Sequence, residues 1–287
     1  MRSTASPERR SLLGIGGAGQ AGAPNEPMTE NTPILELRGI SKSFGSVQAL
    51  ADVDFSVAAG QVMALVGDNG AGKSTLVKCI AGTHPVDEGE IRFDGEPVTI
   101  HGPKDAARLG IEVVYQDLAL CDNLDVVQNM YLGREAHDQF HRLREPVMEQ
   151  TTAETLKTLA VTTIRSIRQP VASLSGGQRQ SVAVARAVMW NSRVVLLDEP
   201  TAALGVAQTR QVLELVKRLA ERGLAVVIIS HNLHDVFEVA HRITVLRLGR
   251  NIAEFDRAQT NQQEVVHAIT AGVPTKVAGI AEEEMPA

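Results

Sequence analysis

The sequence predicts an α/β fold with a mostly parallel sheet, an N-terminal antiparallel β layer and an inserted helical subdomain. Hydrophobic residues make up 44% of the 287 residues but aromatic residues only 3%, so Ala, Val, Leu and Ile must fill the core. This composition suits parallel strands that are buried on both faces. Residues 62–66, 194–197 and 224–229 are uninterrupted apolar runs with the length of such strands.

The first part of the chain predicts the antiparallel layer. Apolar and polar side chains alternate at residues 34–37, 53–57 and 91–93. Turns that contain glycine separate these segments, which is typical of short strands that pair with their neighbours.

The apolar runs 194–197 and 224–229 are joined by a segment with helical spacing, and Gly223 stands where a helix C-cap belongs. The periodic apolar positions of this segment are Val206, Val212, Leu213, Val216 and Leu219. A strand, a helix and a second strand in this order predict a βαβ unit of a parallel sheet.

Residues 118–169 contain mainly helical periods with polar faces and predict a separate helical insert. Further on, residues 243–247 and 251–255 flank a short turn and predict a hairpin. A last helix is expected around residues 262–270, with the charged stretch 264–267 as solvated surface.

We expect one folded domain over residues 32–275 and a short tail over residues 276–287. Residues 1–31 are rich in Gly, Ala, Ser and Pro without periodicity, which predicts a disordered lead. The true translation start, at Met1 or Met28, stays open at this point.

Charge and cysteine content exclude several classes of protein. The 28 Lys and Arg against 34 Asp and Glu give a net charge of -6, which argues against a nucleic-acid partner for the whole chain. The apolar run 224–229 is far shorter than the roughly 20 residues that a membrane-spanning helix needs, so no span is expected. The two cysteines lack CxxC spacing and support neither a disulfide scaffold nor a zinc site.

The strongest motif is a glycine-rich phosphate-binding loop. Residues 67–74 fit the pattern G-x-x-x-x-G-K-[ST] and stand between a predicted strand and a predicted helix. Its glycines let backbone N–H groups surround phosphate oxygens, Lys73 adds a positive charge, and Ser74 is expected to coordinate Mg²⁺. The expected nucleotide-binding residues are Gly67, Asp68, Asn69, Gly70, Ala71, Gly72, Lys73, Ser74 and Thr75. The alternative, a turn that binds nothing, is disfavoured because the motif and its context agree.

Two carboxylates, Asp198 and Glu199, close the apolar run 194–197. They are therefore expected at the carboxyl end of a parallel strand, where open α/β sheets bind ligands. We expect Asp198 to hold Mg²⁺ and Glu199 to polarise the attacking water as general base. Solvated turn residues are the alternative, which the nearby phosphate loop makes less favourable.

A second glycine-rich segment, Leu-Ser-Gly-Gly-Gln at residues 174–178, precedes a predicted helix. Glycines and a hydroxyl at a helix N-terminus predict a second anion site. Its candidate residues are Ser175, Gly176, Gly177 and Gln178.

The ordered set of residues 67–74, 115–116, 174–178, 198–199 and His231 resembles the nucleotide-binding subunit of an ATP-binding cassette (ABC) transporter. A phosphate loop alone is compatible with many families of nucleotide hydrolases, whereas several motifs in this order are far more specific. The resemblance covers nearly all of the predicted domain. It implies a P-loop NTPase core that binds ATP and Mg²⁺ and hydrolyses ATP.

The resemblance also implies roles that spacing alone does not assign. Phe44 would stack on adenine, and Gln116 would contact the metal and sense the γ-phosphate. His231 would contact the γ-phosphate and help to hold the attacking water. Ser175 and Gly177 would bind the nucleotide of a second copy of the chain, because the family forms head-to-tail dimers. The plainer alternatives are a core Phe, a loop Gln and a structural His.

Residues 129–135, 166–171 and 230–237 resemble the carbohydrate-uptake branch, of the ribose, xylose and fructose type. The resemblance implies a peripheral ATPase on the cytoplasmic side of the cell membrane. Two copies of the chain would form a homodimer that docks on an integral-membrane permease. An extracytoplasmic sugar-binding protein would deliver the sugar to that permease. Gly205 departs from the family, which mostly carries Asp at this position. In the family this loop makes a contact across the dimer, and whether this chain makes the same contact stays open. The sugar also stays open. The alternatives are a soluble ABC ATPase of DNA repair or translation and a regulatory module that binds ATP without turnover.

Overall fold

The computed structural model describes residues 32–272. Its strands are β1 (Pro33–Phe44), β2 (Val47–Ala58), β3 (Val62–Val66), β4 (Glu88–Phe93), β5 (Glu96–Val98), β6 (Ile111–Val114), β7 (Val194–Asp198), β8 (Ala225–Ile229), β9 (Arg242–Arg247) and β10 (Arg250–Asp256). Its α-helices are α1 (Lys73–Ile80), α2 (Pro103–Arg108), α3 (Val126–Tyr131), α4 (Glu145–Thr158), α5 (Gly176–Val188), α6 (Val206–Glu221), α7 (Leu233–Val239) and α8 (Gln262–Ala271). The predicted lead, the predicted tail and residues 273–275 lie outside the described residues.

An antiparallel sheet of four strands forms in the order β2-β1-β4-β5. Leu37 of β1 pairs with Phe55 on one side and with Ile91 on the other, and all three side chains are buried. The alternation of apolar residues therefore sets the register of the strands, because a shift of the pairing by one residue would expose these three side chains to solvent. The predicted antiparallel layer is confirmed.

The second sheet has six strands in the order β10-β9-β3-β8-β7-β6. The pairs β9-β3, β3-β8, β8-β7 and β7-β6 are parallel, and only the hairpin β9-β10 is antiparallel. Strands β7 and β8 are neighbours joined by α6, which confirms the predicted βαβ unit. After α6, Gly223 has a φ of +87°, the left-handed conformation expected of a glycine at a helix end.

The parallel sheet separates two apolar cores. Val62, Ala64 and Val66 of β3 belong to one core, which also holds α5 and α6. Met63 and Leu65 belong to the other, which lies between the two sheets and includes α1. Because β3 is buried on both faces, its sequence is a continuous apolar run, as parallel strands require.

The predicted insert at residues 118–169 is less helical than expected, with α3 and α4 as its α-helices. Asp125 caps α3, and its backbone N–H donates to Gln128 in return. Between the helices, Asp138 accepts hydrogen bonds from the backbone of Phe140 and Arg142. Aspartate side chains favour turns in this way, so the chain forms a folded loop there instead of a helix.

Four elements, β5, β6, α2 and α7, were not predicted from the sequence. Strand β6 has four residues at the edge of the parallel sheet, and α2 has six residues of which only Ala106 is buried. All four elements have seven residues or fewer and are too short to show a clear period. Across residues 32–272, none of the helices combines the length and apolar character that crossing a bilayer requires.

Candidate functional site

The phosphate-loop motif connects the carboxyl end of β3 to α1, as predicted. Gly67 has a φ of +148° and Gly72 a φ of +104°, both in the region that favours glycine. A Cβ at Gly67 would lie 2.1 Å from the carbonyl oxygen of Leu246, and a Cβ at Gly72 would lie 2.8 Å from Cδ2 of Leu50. These glycines therefore let the loop pack directly against β9 and β2.

Lys73 folds back over the loop that it follows. Its Nζ donates hydrogen bonds to the carbonyl oxygens of Gly67, at 2.7 Å, and Asp68, at 2.9 Å. Burial lowers the pKa of Lys73, while the charges of Glu199, Asp68 and Asp198 act in the opposite direction. The ammonium group is thus held at the centre of the motif, between backbone carbonyls and nearby carboxylates.

The phosphate loop and the end of β7 line a cleft of about 420 Å³. Residues 69–75 form one side, Asp198 and Glu199 another, and Gln116 and residues 47–49 of β2 complete it. The structure therefore brings the predicted phosphate-binding and metal-binding residues together within one chain.

A second cleft of about 600 Å³ lies beside the first. Gln116 and Glu199 line it as well, so these two residues belong to both clefts. The rest of its lining comes from residues 66–69, Ser230 and His231 after β8, Leu233 of α7, and helix α8. Gln116, Glu199 and His231, three of the four predicted catalytic residues, thus share one space with the start of the phosphate loop, while Lys73, the fourth, lines the first cleft.

Sequence reasoning missed the contribution of α8. The expectation of solvated surface at residues 264–267 is wrong in part, because Val265 is fully buried. Val266, Ile269 and Thr270 line the second cleft. The i, i+4 spacing of Val265 and Ile269 indicated that one face of this helix is buried, although no local pattern showed which space α8 borders.

Glu199 and His231 follow neighbouring parallel strands and contact each other. His231 Nδ1 lies 2.8 Å from Glu199 Oε2. The backbone N–H of Glu199 donates to the carbonyl oxygen of Ile229 at 2.9 Å, which fixes the residue to the end of β8. A carboxylate and an imidazole in contact at a strand end can exchange protons with a bound water.

Asp198 lies in surroundings that disfavour its charged form. Burial raises the pKa of its carboxyl, the neighbouring charge of Glu199 raises it further, and Lys73 lowers it. No hydrogen bond from a side chain or backbone group of residues 32–272 reaches this carboxylate. A cation beside it would relieve the repulsion between the two carboxylates.

The donor set suits Mg²⁺. The Ser74 hydroxyl, the Asp198 carboxylate and the Gln116 amide oxygen border one cleft, and all three are hard oxygen donors. Mg²⁺ usually binds only a few protein ligands, and water and phosphate oxygens complete its coordination shell. The residues therefore fit the metal that the motifs predict.

Ser175 to Gln178 form the start of α5. Ser175 is the N-cap residue, and its backbone N–H donates to Gln178 Oε1 at 2.8 Å. Gln178 Nε2 donates to the carbonyl oxygen of Thr163 at 2.6 Å. None of residues 175–178 lines either cleft, so the structure does not bring this segment to the phosphate loop of its own chain.

The two glycines of this segment pack against the loop that leads into α6 and against the first turn of that helix. A Cβ at Gly176 would lie 2.8 Å from Cδ2 of Leu204, and a Cβ at Gly177 would lie 3.0 Å from Cβ of Gln208. The glycines therefore permit a close approach between the start of α5 and the loop that contains Gly205.

Phe44 ends β1 opposite Val47, whose side chain borders the first cleft. The ring is 45% exposed, which leaves room for a stacked base. His84 meets it edge-on with ring centroids 5.1 Å apart, and Lys42 Nζ lies 5.5 Å from its centroid. The ring is thus held in place near the phosphate loop, although it does not itself line the clefts.

Comparison with known proteins gives a consistent result. Residues 50–202 match the family described as "ABC transporter". The chain is 46% identical to the fructose import ATP-binding protein FrcA of Rhizobium meliloti over 244 residues, which cover 83% of this chain and 94% of that protein. It is 45% identical to the xylose/arabinose import ATP-binding protein XylG of Sulfolobus acidocaldarius, over 85% of this chain and 96% of that protein.

Two solved structures share the fold. The ADP conformation of MJ1267, an ATP-binding cassette of an ABC transporter, matches with a TM-score of 0.72 and 27% identity, over 84% of this chain and 96% of that chain. The dimeric post-hydrolysis state of the ATP-binding cassette MJ0796, bound to ADP and Pi, matches with a TM-score of 0.65 and 26% identity. That match covers 78% of this chain and 98% of the other. The predicted fold class is confirmed.

Proposed function

Because the chain belongs to the ATP-binding family of ABC transporters, we propose that it hydrolyses ATP to power the import of a sugar through a separate membrane permease. One observation supports the ATPase activity above all: the phosphate loop, Asp198, Glu199 and His231 meet at two adjoining clefts. Sugar import is supported by relatives that are named as fructose and xylose/arabinose import proteins and that match over nearly their full lengths.

The residues of the clefts have complementary roles. The loop from Gly67 to Thr75 binds the phosphates through its backbone N–H groups, and Lys73 transfers its hydrogen bonds from loop carbonyls to phosphate oxygens. Ser74, Gln116 and Asp198 would hold Mg²⁺, which neutralises phosphate charge when it is bound. Glu199 orients the attacking water and accepts its proton, while His231 holds Glu199 and the γ-phosphate.

A complete site would need two copies of the chain. Residues 175–178 line neither cleft of their own chain, and MJ0796, which shares the fold, forms a dimer. Ser175 and Gly177 of one copy would bind the γ-phosphate held by the other copy, with Gly176 and Gln178 supporting them. ATP binding would then close the homodimer, and hydrolysis would reopen it.

The transporter would contain further proteins. The ATPase dimer would dock as a peripheral subunit on the cytoplasmic side of an integral-membrane permease, and an extracytoplasmic sugar-binding protein would deliver the substrate. Gln116 lies at the start of the segment that leads to α3 and would carry the state of the γ-phosphate towards the permease. An ATPase of DNA repair or translation is not favoured, since the relatives described above are import proteins.

Sugar uptake tests the proposal. Cells that lack this chain but retain the permease and the binding protein are complemented with the wild type or with Glu199→Gln, and uptake of labelled fructose, xylose and ribose is measured. We expect uptake of at least one sugar to be restored only by the wild type. Restoration of none, with the chain present at the membrane, would contradict import of these three sugars.

A further inference from the structure

A buried hydrogen bond joins the loop that carries Glu199 to α7, the helix that follows His231. The Thr201 hydroxyl donates to Asp235 Oδ2 at 2.7 Å. Thr201 follows Glu199 by two residues, and Asp235 follows His231 by four. Thr201 is 9% exposed and Asp235 is 2% exposed. Neither residue lines a cleft, so the pair lies behind the site and does not face it.

The backbone at Glu199 requires support of this kind. Its φ is +49°, a left-handed conformation that a non-glycine residue keeps only where its surroundings hold it. On one side, the N–H of Glu199 bonds to Ile229 of β8. On the other side, the N–H of Ala202 donates to the carbonyl oxygen of Glu199 at 3.1 Å and closes a tight turn. Thr201 lies inside that turn, so its bond to Asp235 fixes the turn to α7.

We propose that Thr201 and Asp235 are positioning residues that keep Glu199 in its left-handed conformation and opposite His231. The inference rests on the proposed ATPase function. Without the hydroxyl, a buried carboxylate would lose its donor, and the turn would lose its only side-chain bond to α7 among the described residues. Glu199 would then move relative to the attacking water, while the phosphate loop would keep its own contacts.

Replacing Thr201 tests this role. Thr201→Val keeps the shape of the side chain and removes the hydroxyl. We expect kcat, counted per chain that binds a fluorescent ATP analogue, to fall about 10- to 100-fold, with KM for ATP changed by less than about twofold. Thr201→Ser, which keeps the hydroxyl, should retain most of the kcat. If the Val variant does not fold, Thr201→Ala can replace it, because Ala also lacks the hydroxyl and does not place a methyl group against the Asp235 carboxylate.

The chain supplies a matched control. Thr152 is a fully buried threonine whose hydroxyl has no hydrogen-bond partner within the described residues. Thr152→Val makes the same chemical change away from both clefts and should leave kcat unchanged. A fall in kcat as large as that of Thr201→Val would show a general effect of core substitution and would overturn the proposal.

A second background separates positioning from structure. In Glu199→Gln, single-turnover hydrolysis is already low because the base is absent, so adding Thr201→Val should lower it by less than about twofold. Equal losses in both backgrounds, or a raised KM with normal kcat, would overturn the positioning role. A wild-type chain that binds ATP but never hydrolyses it would instead contradict the proposed function.

Discussion

His231 Nδ1 lies 2.8 Å from Glu199 Oε2, across the ends of two neighbouring parallel strands. In the register of these strands, Asp198 pairs with Ile229, so Glu199 lies one residue beyond this pair and His231 two residues beyond it. The His231 side chain is 72% exposed and that of Glu199 only 16%. The imidazole thus lies on the open side of the carboxylate, where a nucleotide and a water would enter.

Glu199→Gln keeps the shape of the side chain and its contact with His231 but removes the proton acceptor. ATP hydrolysis should fall by about 10² to 10⁴, while ATP binding is retained. Phosphate release and binding of a fluorescent ATP analogue measure the two properties. Turnover near that of the wild type would assign the base elsewhere, with His231 the first candidate.

Phe44→Ala should weaken binding of ATP but not of tripolyphosphate, which carries no base. Loss of one base-aromatic stack should raise the Kd for ATP about 5- to 150-fold. Isothermal titration with each compound gives the comparison. Phe140→Ala is the control, since Phe140 is a 68% exposed ring in the loop between α3 and α4. An equal loss of affinity for both compounds would argue against stacking at Phe44.

Asp198→Asn should stabilise the nucleotide-free chain while it abolishes turnover. The folded-state pKa of Asp198 is raised, so its charge disfavours folding at neutral pH. That penalty disappears as the pH falls from the raised pKa towards the unfolded value of about 4. We therefore expect a Tm above that of the wild type at pH 7 and a smaller difference near pH 4. A lower Tm at pH 7 would contradict this electrostatic assignment.

Gly205→Asp should stabilise the chain through α6. Gly205 is the N-cap of α6 in an extended conformation, with φ -74°, and a Cβ there would meet nothing within 4 Å. An Asp side chain can accept a hydrogen bond from the first turn and gains a few tenths of a kcal/mol over Gly at this position. Urea unfolding of Gly205→Asp and of the non-capping Gly205→Ala compares the two. A less stable Asp variant would show that the loop has no room for a cap.

The sequence predicted those parts of the fold that follow from local patterns. The apolar run of β3 and the helical spacing of α6 each specify a buried element, and the glycines of the phosphate loop specify its turn. Strand β6 could not be predicted because it has only four residues, and the loop between α3 and α4 was predicted as helical because the turn at Asp138 was not recognised.

The candidate site was predicted less completely than the fold. The motifs named Lys73, Asp198 and Glu199, but no local pattern shows that α8 borders the same space. The bond between Thr201 and Asp235 joins residues 34 positions apart, so only the packed sheet reveals it. Contacts between the ends of neighbouring strands depend on strand order, which local periodicity does not encode.

The measurement that tests the central claim most directly is ATP hydrolysis by mixed variants. Lys73→Ala removes the charge that holds the phosphates, and Ser175→Arg blocks the segment offered to the partner, so each chain alone should be inactive. A mixed dimer would carry both lesions in one site and neither in the other. In a separate measurement on the wild type, activity per chain should rise with protein concentration as dimers form. We predict that mixing the two variants restores hydrolysis. Activity independent of concentration, with no gain on mixing, would contradict a site shared between two copies.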